Sequence, residues 1–383
     1  MARNSILANL AAVLILGVAH LACAAEPPPR LAFSVEPNGH ILLPITINGV
    51  AIEAVLDSGA GVTVLDRSFA DAKGIHSFGR SKGQGLSGQI EASRATADLK
   101  VGDQVMAARH VWVMDLSAVG KAMHRPVQMI LGRDAFEQGV VDIDFRDHSL
   151  AFAPPAGFRP PPGASSLTIT RSHGLPTIPV MVGAGQAVQA TFDLGNGNAL
   201  ILTDKFADSE GLLRNRPVST GVSYGADGAV ATHLATIDSF SLAGVTFHSV
   251  PAVVAPRPNA EAPVNVGTEI LSRFHLFVDF QKAQLWLQPY PDAAEVAFRK
   301  NRAGLVGLVE GDRWKVVHVA TGGPGAAGGW QVGDLVTAVD GHPVGADFES
   351  SGLSRWMNAP AGRTVELSLA DGSKRRLTLA DYY

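Results

Sequence analysis

Ile52-Glu53-Ala54-Val55-Leu56-Asp57-Ser58-Gly59-Ala60-Gly61 is a short apolar run that ends on a carboxylate and breaks at once into small residues. Just upstream, Ile41, Leu43, Ile45 and Ile47 alternate with Leu42, Pro44, Thr46 and Asn48. That period of two predicts a strand. Asn48-Gly49 is a hairpin turn, because both residues tolerate the positive φ such turns need. The chain therefore runs out, turns, and returns to deliver Asp57 at a strand end, where Gly59 permits a sharp bend that leaves the carboxylate uncovered.

The same pattern recurs about 136 residues later. Ile178–182 and Val188–192 are the paired runs, and they deliver Asp193 in Asp193-Leu194-Gly195-Asn196-Gly197. Phe69-Ala70-Asp71-Ala72-Lys73-Gly74 returns as Phe206-Ala207-Asp208-Ser209-Glu210-Gly211, Leu131-Gly132 as Val266-Gly267, and Asp144-Phe145 as Asp279-Phe280. Four matches in one order at nearly one offset indicate an internal duplication. Each copy reads as mostly β, with Ser68–73 the only good short helix of the first. The copies span 30–153 and 164–289, joined by a proline-rich linker at 154–163.

These residues resemble aspartic peptidases of the retropepsin-like and pepsin-like type. Asp57-Ser58-Gly59-Ala60 is similar to their Asp-Thr/Ser-Gly-Ala signature, and Met129-Ile130-Leu131-Gly132-Arg133-Asp134 to the apolar segment that follows it. Val264-Asn265-Val266-Gly267-Thr268-Glu269 is the second copy's analogue. The resemblance implies a mostly β, bilobal molecule whose acid-protease β-barrel lobes each give one catalytic aspartate, Asp57 and Asp193. Ser58, Gly59, Gly195 and Asn196 would support them, and no cofactor or metal would be needed. Two carboxylates about 3 Å apart cannot both ionise, so the pair holds an acid and a base at once. The second motif departs from the family pattern: Leu194 stands where a hydroxyl residue bonds across to the opposite lobe. Asn196 is expected to donate to Asp193 instead. A peptide-binding protein without catalysis, on the same scaffold, is the alternative.

A glycine-rich flap should follow each aspartate. Gly83, Gly85, Leu86 and Gly88 fit the first, and residues near Tyr224 the second. Gly83-Gln84-Gly85-Leu86-Ser87-Gly88 also spells a dinucleotide fingerprint, but it follows no apolar strand and opens no helix. Gly221-Val222-Ser223-Tyr224-Gly225 lacks the strand–turn–helix context of a hydrolase elbow. The 12 histidines include no i, i+4 pair.

From about residue 292 the pattern changes. Residues 292–300 suggest a short linking helix. Val332-Gly333-Asp334-Leu335-Val336 and Asp340-Gly341-His342-Pro343-Val344 then resemble the signature of bacterial PDZ domains. By that resemblance, 292–383 would bind a peptide C-terminus in a nest formed by Gly304, Leu305 and Val306.

Arg3, the apolar run 6–18 and Ala22-Cys23-Ala24 predict a signal peptide over 1–24, hence a periplasmic or secreted protein. A retained anchor, or a lipoprotein acylated on Cys23, is the alternative; against the latter, His20 stands where such signals carry leucine. The 383 residues carry a formal net charge of −4 and no basic stripe, which argues against a nucleic-acid partner. The expected partners are a peptide or protein substrate and a PDZ ligand. Two aspartates on one chain predict that the exported endopeptidase works as a monomer.

Overall fold

The computed structural model describes residues 28–84, 89–172, 174–225, 228–256, 260 and 262–383. Residues 1–27, with Cys23 and the expected signal peptide, lie outside them.

The opening hairpin is as read. Strand Ile41–Ile47 pairs with Val50–Leu56, turning through Asn48 (φ 47°) and Gly49 (φ 78°). The core-facing alternation of Ile41, Leu43, Ile45 and Ile47 is buried. These strands belong to an eight-stranded sheet ordered Ser34–Val35, Ile41–Ile47, Val50–Leu56, Met129–Leu131, Val64–Asp66, Gln104–Met114, Gln89–Val101, Ser77–Gln84. A second sheet repeats that order: Thr170–Ser172, Leu175–Val182, Ala187–Phe192, Val264–Val266, Leu200–Thr203, Val245–Ala255, Gly228–Leu242, Val218–Gly225. In each, the second and seventh strands also pair, closing the sheet on itself. The duplication in the sequence is thus a duplication of topology.

A third sheet joins the lobes. Val140–Asp144 of the first pairs antiparallel with Phe274–Asp279 of the second, Ile143 opposite Leu276. Arg30–Ala32, Ser149–Ala153, Gln284–Pro289 and Ser165–Thr168 complete its six strands. One apolar core, including Ile143, Leu150, Leu276 and Leu287, runs through both lobes. The proline-rich segment is a docked strap: Phe158 packs on Phe277 and Trp286, and the Pro155 and Pro162 carbonyls accept from Lys282 and Gln288.

Two local readings are corrected. Besides helix Arg67–Ala72, the first copy has a helix at Ser117–Ala122 and a 3₁₀ turn at Arg133–Gln138. Residues 292–295 form a turn and 297–300 are irregular, so the expected helix over 292–300 is not there. There the Arg273 guanidinium takes the carbonyls of Ala293 and Val296, which a helix would bond to its own amides.

Residues 303–379 have a separate core around Trp314, Val316, Trp330, Val336 and Leu367. Its sheet runs Leu305–Glu310, Arg313–Val319, Leu335–Val339, Thr364–Leu369, Lys374–Thr378, with His342–Pro343 beside Leu335–Val339. This body touches both lobes. Ser219 Oγ donates to Thr321 O at 2.6 Å, and Val309 N–H donates to His124 Nδ1 at 3.2 Å. Among the described residues, no helix is long and apolar enough to cross a membrane.

Candidate active site

Both aspartates leave their strands in the same way. Asp57 N donates to Leu131 O (3.0 Å) and Asp193 N to Val266 O (3.1 Å). Each carboxylate then turns back onto its own loop: Ala60 N donates to Asp57 Oδ1 and Gly195 N to Asp193 Oδ1, both at 2.9 Å. The glycines explain why the carboxyls can meet. A Cβ on Gly59 would lie 2.5 Å from Asp193 Oδ1, and one on Gly195 would overlap the carboxyl of Asp57. Each carboxyl therefore passes over the opposite lobe's glycine, which brings the two against one another. Burial first, then the charge of Asp193, pushes the Asp57 carboxyl well above the usual carboxylate range.

Ser58 ties the lobes together. Its buried hydroxyl donates to Phe192 O and accepts from Leu194 N, both at 2.9 Å. Leu194, fully buried, has no hydroxyl to return that contact. The bridge is one-sided, and the apolar side chain joins the core instead.

Asn196 does not reach Asp193 as expected. Its Nδ2 donates to Asn265 Oδ1 (2.8 Å), and it is Asn265 Nδ2 that donates to Asp193 Oδ2 (2.6 Å). Asn196 Oδ1 meanwhile accepts from the backbone and side chain of Asn198, both at 3.0 Å. In the sequence Asn265 stands inside the quoted Val264–Glu269 segment, with no role assigned to it. Its signal was there: aligned at the repeat offset, it replaces Ile130.

His40 was also missed, because it sits in no motif. It occupies the turn before the first long strand, where Gly39 (φ 92°) brings the chain against Gly197 of the other lobe. Its ring lies 2.9 Å from Asn38 Oδ1 and near the Gly195 backbone. Burial pushes its pKa down to about 4; the Asp193 charge opposes this, and Arg299 adds to it. Thr268 Oγ1 donates to Gly39 O (2.8 Å) and Arg299 to Gly197 O (3.1 Å), closing the same seam.

Of the expected flap residues, Gly83 lies in Ser77–Gln84 opposite Ile90, near the end of a hairpin. Gly85, Leu86 and Gly88 lie outside the described residues. Tyr224 faces Ala229 one pair from the end of the corresponding hairpin of the second lobe. Gly304, Leu305 and Val306 open the edge strand of the C-terminal sheet. Gly304 (φ 68°) already donates its amide to Asn301 Oδ1 (3.1 Å), so it is not free for a ligand.

A family model described as aspartyl protease matches the chain twice, over residues 43–135 and 178–270. Each match covers one lobe from its first long strand to just past the Gly132 or Gly267 motif. The tandem match supports an aspartyl protease of the retropepsin-like type. No curated protein matches the chain.

Proposed function

We propose that the protein is an exported aspartic endopeptidase in which Asp57 and Asp193 of one chain activate one water. The observation that carries this reading is the mutual contact of the two carboxyls, each seated over the other lobe's glycine. One member of the pair takes a proton from water as its oxygen attacks the peptide carbonyl carbon. The other gives its proton to the carbonyl oxygen, forming a tetrahedral diol. The first aspartate then gives its proton to the amide nitrogen while a diol hydroxyl returns its proton to the second, which breaks the C–N bond, reforms the C=O and restores the one-proton pair. The shared six-stranded sheet and continuous core favour a site built within one chain, acting as a monomer. A casein-type substrate, assayed with and without pepstatin and again with Asp57→Asn, tests the reading. Pepstatin-sensitive cleavage lost in the variant is expected; a folded protein that cleaves nothing would leave the second reading, a peptide-binding protein, which the one-sided bridge at Leu194 favours.

We further propose that 292–383 is a PDZ domain that recruits or regulates substrate. Supporting this are its separate core and the sheet edge offered by Leu305–Glu310. On that edge the Val309 amide is held by His124 of the first lobe, whose Nε2 faces Glu349. Peptides with free apolar C-termini should bind more weakly once amidated, and His124→Ala in the full chain should tighten binding by freeing the Val309 amide. Calorimetry showing no difference between free and amidated peptides would contradict carboxylate capture.

A further inference from the structure

We propose that Asn265, braced by Asn196 and Asn198, is a positioning residue that keeps the shared proton on Asp57 and the negative charge on Asp193. This rests on the peptidase reading and goes further by assigning the two roles. Asp193 would take the proton of the attacking water, and Asp57 would donate to the substrate carbonyl.

One donor in the network cannot be flipped. Asn198 N is backbone and can only donate; it lies 3.0 Å from Asn196 Oδ1. That fixes Asn196 with its amide nitrogen toward Asn265 Oδ1 at 2.8 Å. Asn265 must then turn its own nitrogen toward Asp193 Oδ2, at 2.6 Å. The donor and acceptor faces of both amides are set by the network. Asp193 therefore meets donors on both oxygens, Gly195 N on Oδ1 and Asn265 Nδ2 on Oδ2. A proton on Oδ2 would face another donor, so the ionised form of Asp193 is the one this surrounding fits.

Among the described residues, Asp57 has no such side-chain partner. Backbone amides of Gly59 and Ala60 serve it, and the position equivalent to Asn265 is Ile130, a hydrocarbon. The parallel pairings of the two lobes place these residues alike: Ile130 opposite Val55, Asn265 opposite Thr191. Asn265 and Asn196 are 5% and 6% exposed, so water does not dilute the bond. Among the described residues, two other charged or titratable groups lie near the pair. His40 approaches Asp193 from the first lobe, and Arg299 reaches Gly197 O beside it.

Because His40 titrates nearby, the test reads the aspartates directly. The full chain is labelled with ¹³C at the aspartate carboxyl carbons and titrated by NMR without substrate. In Asp57→Asn only Asp193 of the pair remains, and in Asp193→Asn only Asp57. The Asp193 midpoint should be lower than the Asp57 midpoint by about one pH unit or more, the size expected of a hydrogen bond to a charged group. Adding Asn265→Ile to the Asp57→Asn chain should raise the Asp193 midpoint by about one unit. Asn196→Ala, which leaves Asn265 in place but unbraced, should raise it less and serves if Asn265→Ile does not fold. Equal midpoints, or an Asp193 midpoint unmoved by both substitutions in folded protein, would overturn the assignment. In the otherwise native chain, Asn265→Ile should move the acid limb of kcat/KM upward by a similar amount. Absence of cleavage by the native protein would end the peptidase reading, while the NMR midpoints still decide where the proton resides.

Discussion

Asp57→Asn and Asp193→Asn should each lower kcat/KM by ~10³-fold or more, because neither carboxyl alone can be both acid and base. Neither should unfold the protein, since asparagine keeps the shape of aspartate and the strands that carry it are buried. The two variants should differ in stability. In the native chain Asp57 is held with its pKa well above the usual range by burial and by Asp193. A carboxyl whose pKa is raised on folding contributes stability at acid pH, and that contribution disappears as pH rises through the raised value. Asp57→Asn should therefore raise the melting temperature most at neutral pH and least at strongly acidic pH. Asp193→Asn should give less, because it also takes the charge away from Asn265 Nδ2. Differential scanning calorimetry across pH, beside the activity assay, checks both parts. Substantial turnover in either folded variant, or a melting difference that grows toward acid pH, would contradict the account of the pair.

His40 should make the seam between the lobes acid-labile. Its pKa falls from the usual 6.5 to about 4 on folding, chiefly through burial. A histidine whose pKa is depressed on folding leaves stability intact above 6.5 and costs it progressively as pH falls toward 4. Over 2.5 pH units the full cost is about 3 kcal/mol at 1.36 kcal/mol per unit. For a chain of 383 residues that corresponds to a melting temperature lower by ~4 °C. The opposite slope from Asp57 overlaps this window, so the difference between native protein and His40→Gln isolates the effect. That difference should be largest near pH 4 and favour the variant there. A pH-independent difference would show that His40 does not titrate with the seam.

How far the sequence carried these conclusions depends on the distance over which each residue acts. Asp57, Asp193 and the Asn48-Gly49 turn were legible because their signals are local: strand periodicity, a turn dipeptide, a glycine two residues on. The duplication was legible because local patterns repeat at one offset. The reach of Asn196 was misjudged, since which neighbour an amide meets is decided by strand packing, and here Asn265 intervenes. Asn265 itself differs from Ile130 in the aligned copies, a contrast that acquires meaning only once strand Val264–Val266 is placed beside Ala187–Phe192. His40 had no local signal at all; its burial comes from the other lobe. The helix expected over 292–300 failed for the same reason, because Arg273, in the turn before strand Phe274–Asp279, claims its carbonyls.

The central claim is that one chain builds one aspartate pair from its two lobes. Titrating the purified native chain with pepstatin by calorimetry at weakly acidic pH tests it most directly, since the inhibitor needs an assembled pair. One inhibitor per chain is expected, and none for Asp57→Asn or Asp193→Asn. One inhibitor per two chains, with binding kept in Asp193→Asn, would mean that first lobes pair between molecules and would contradict it.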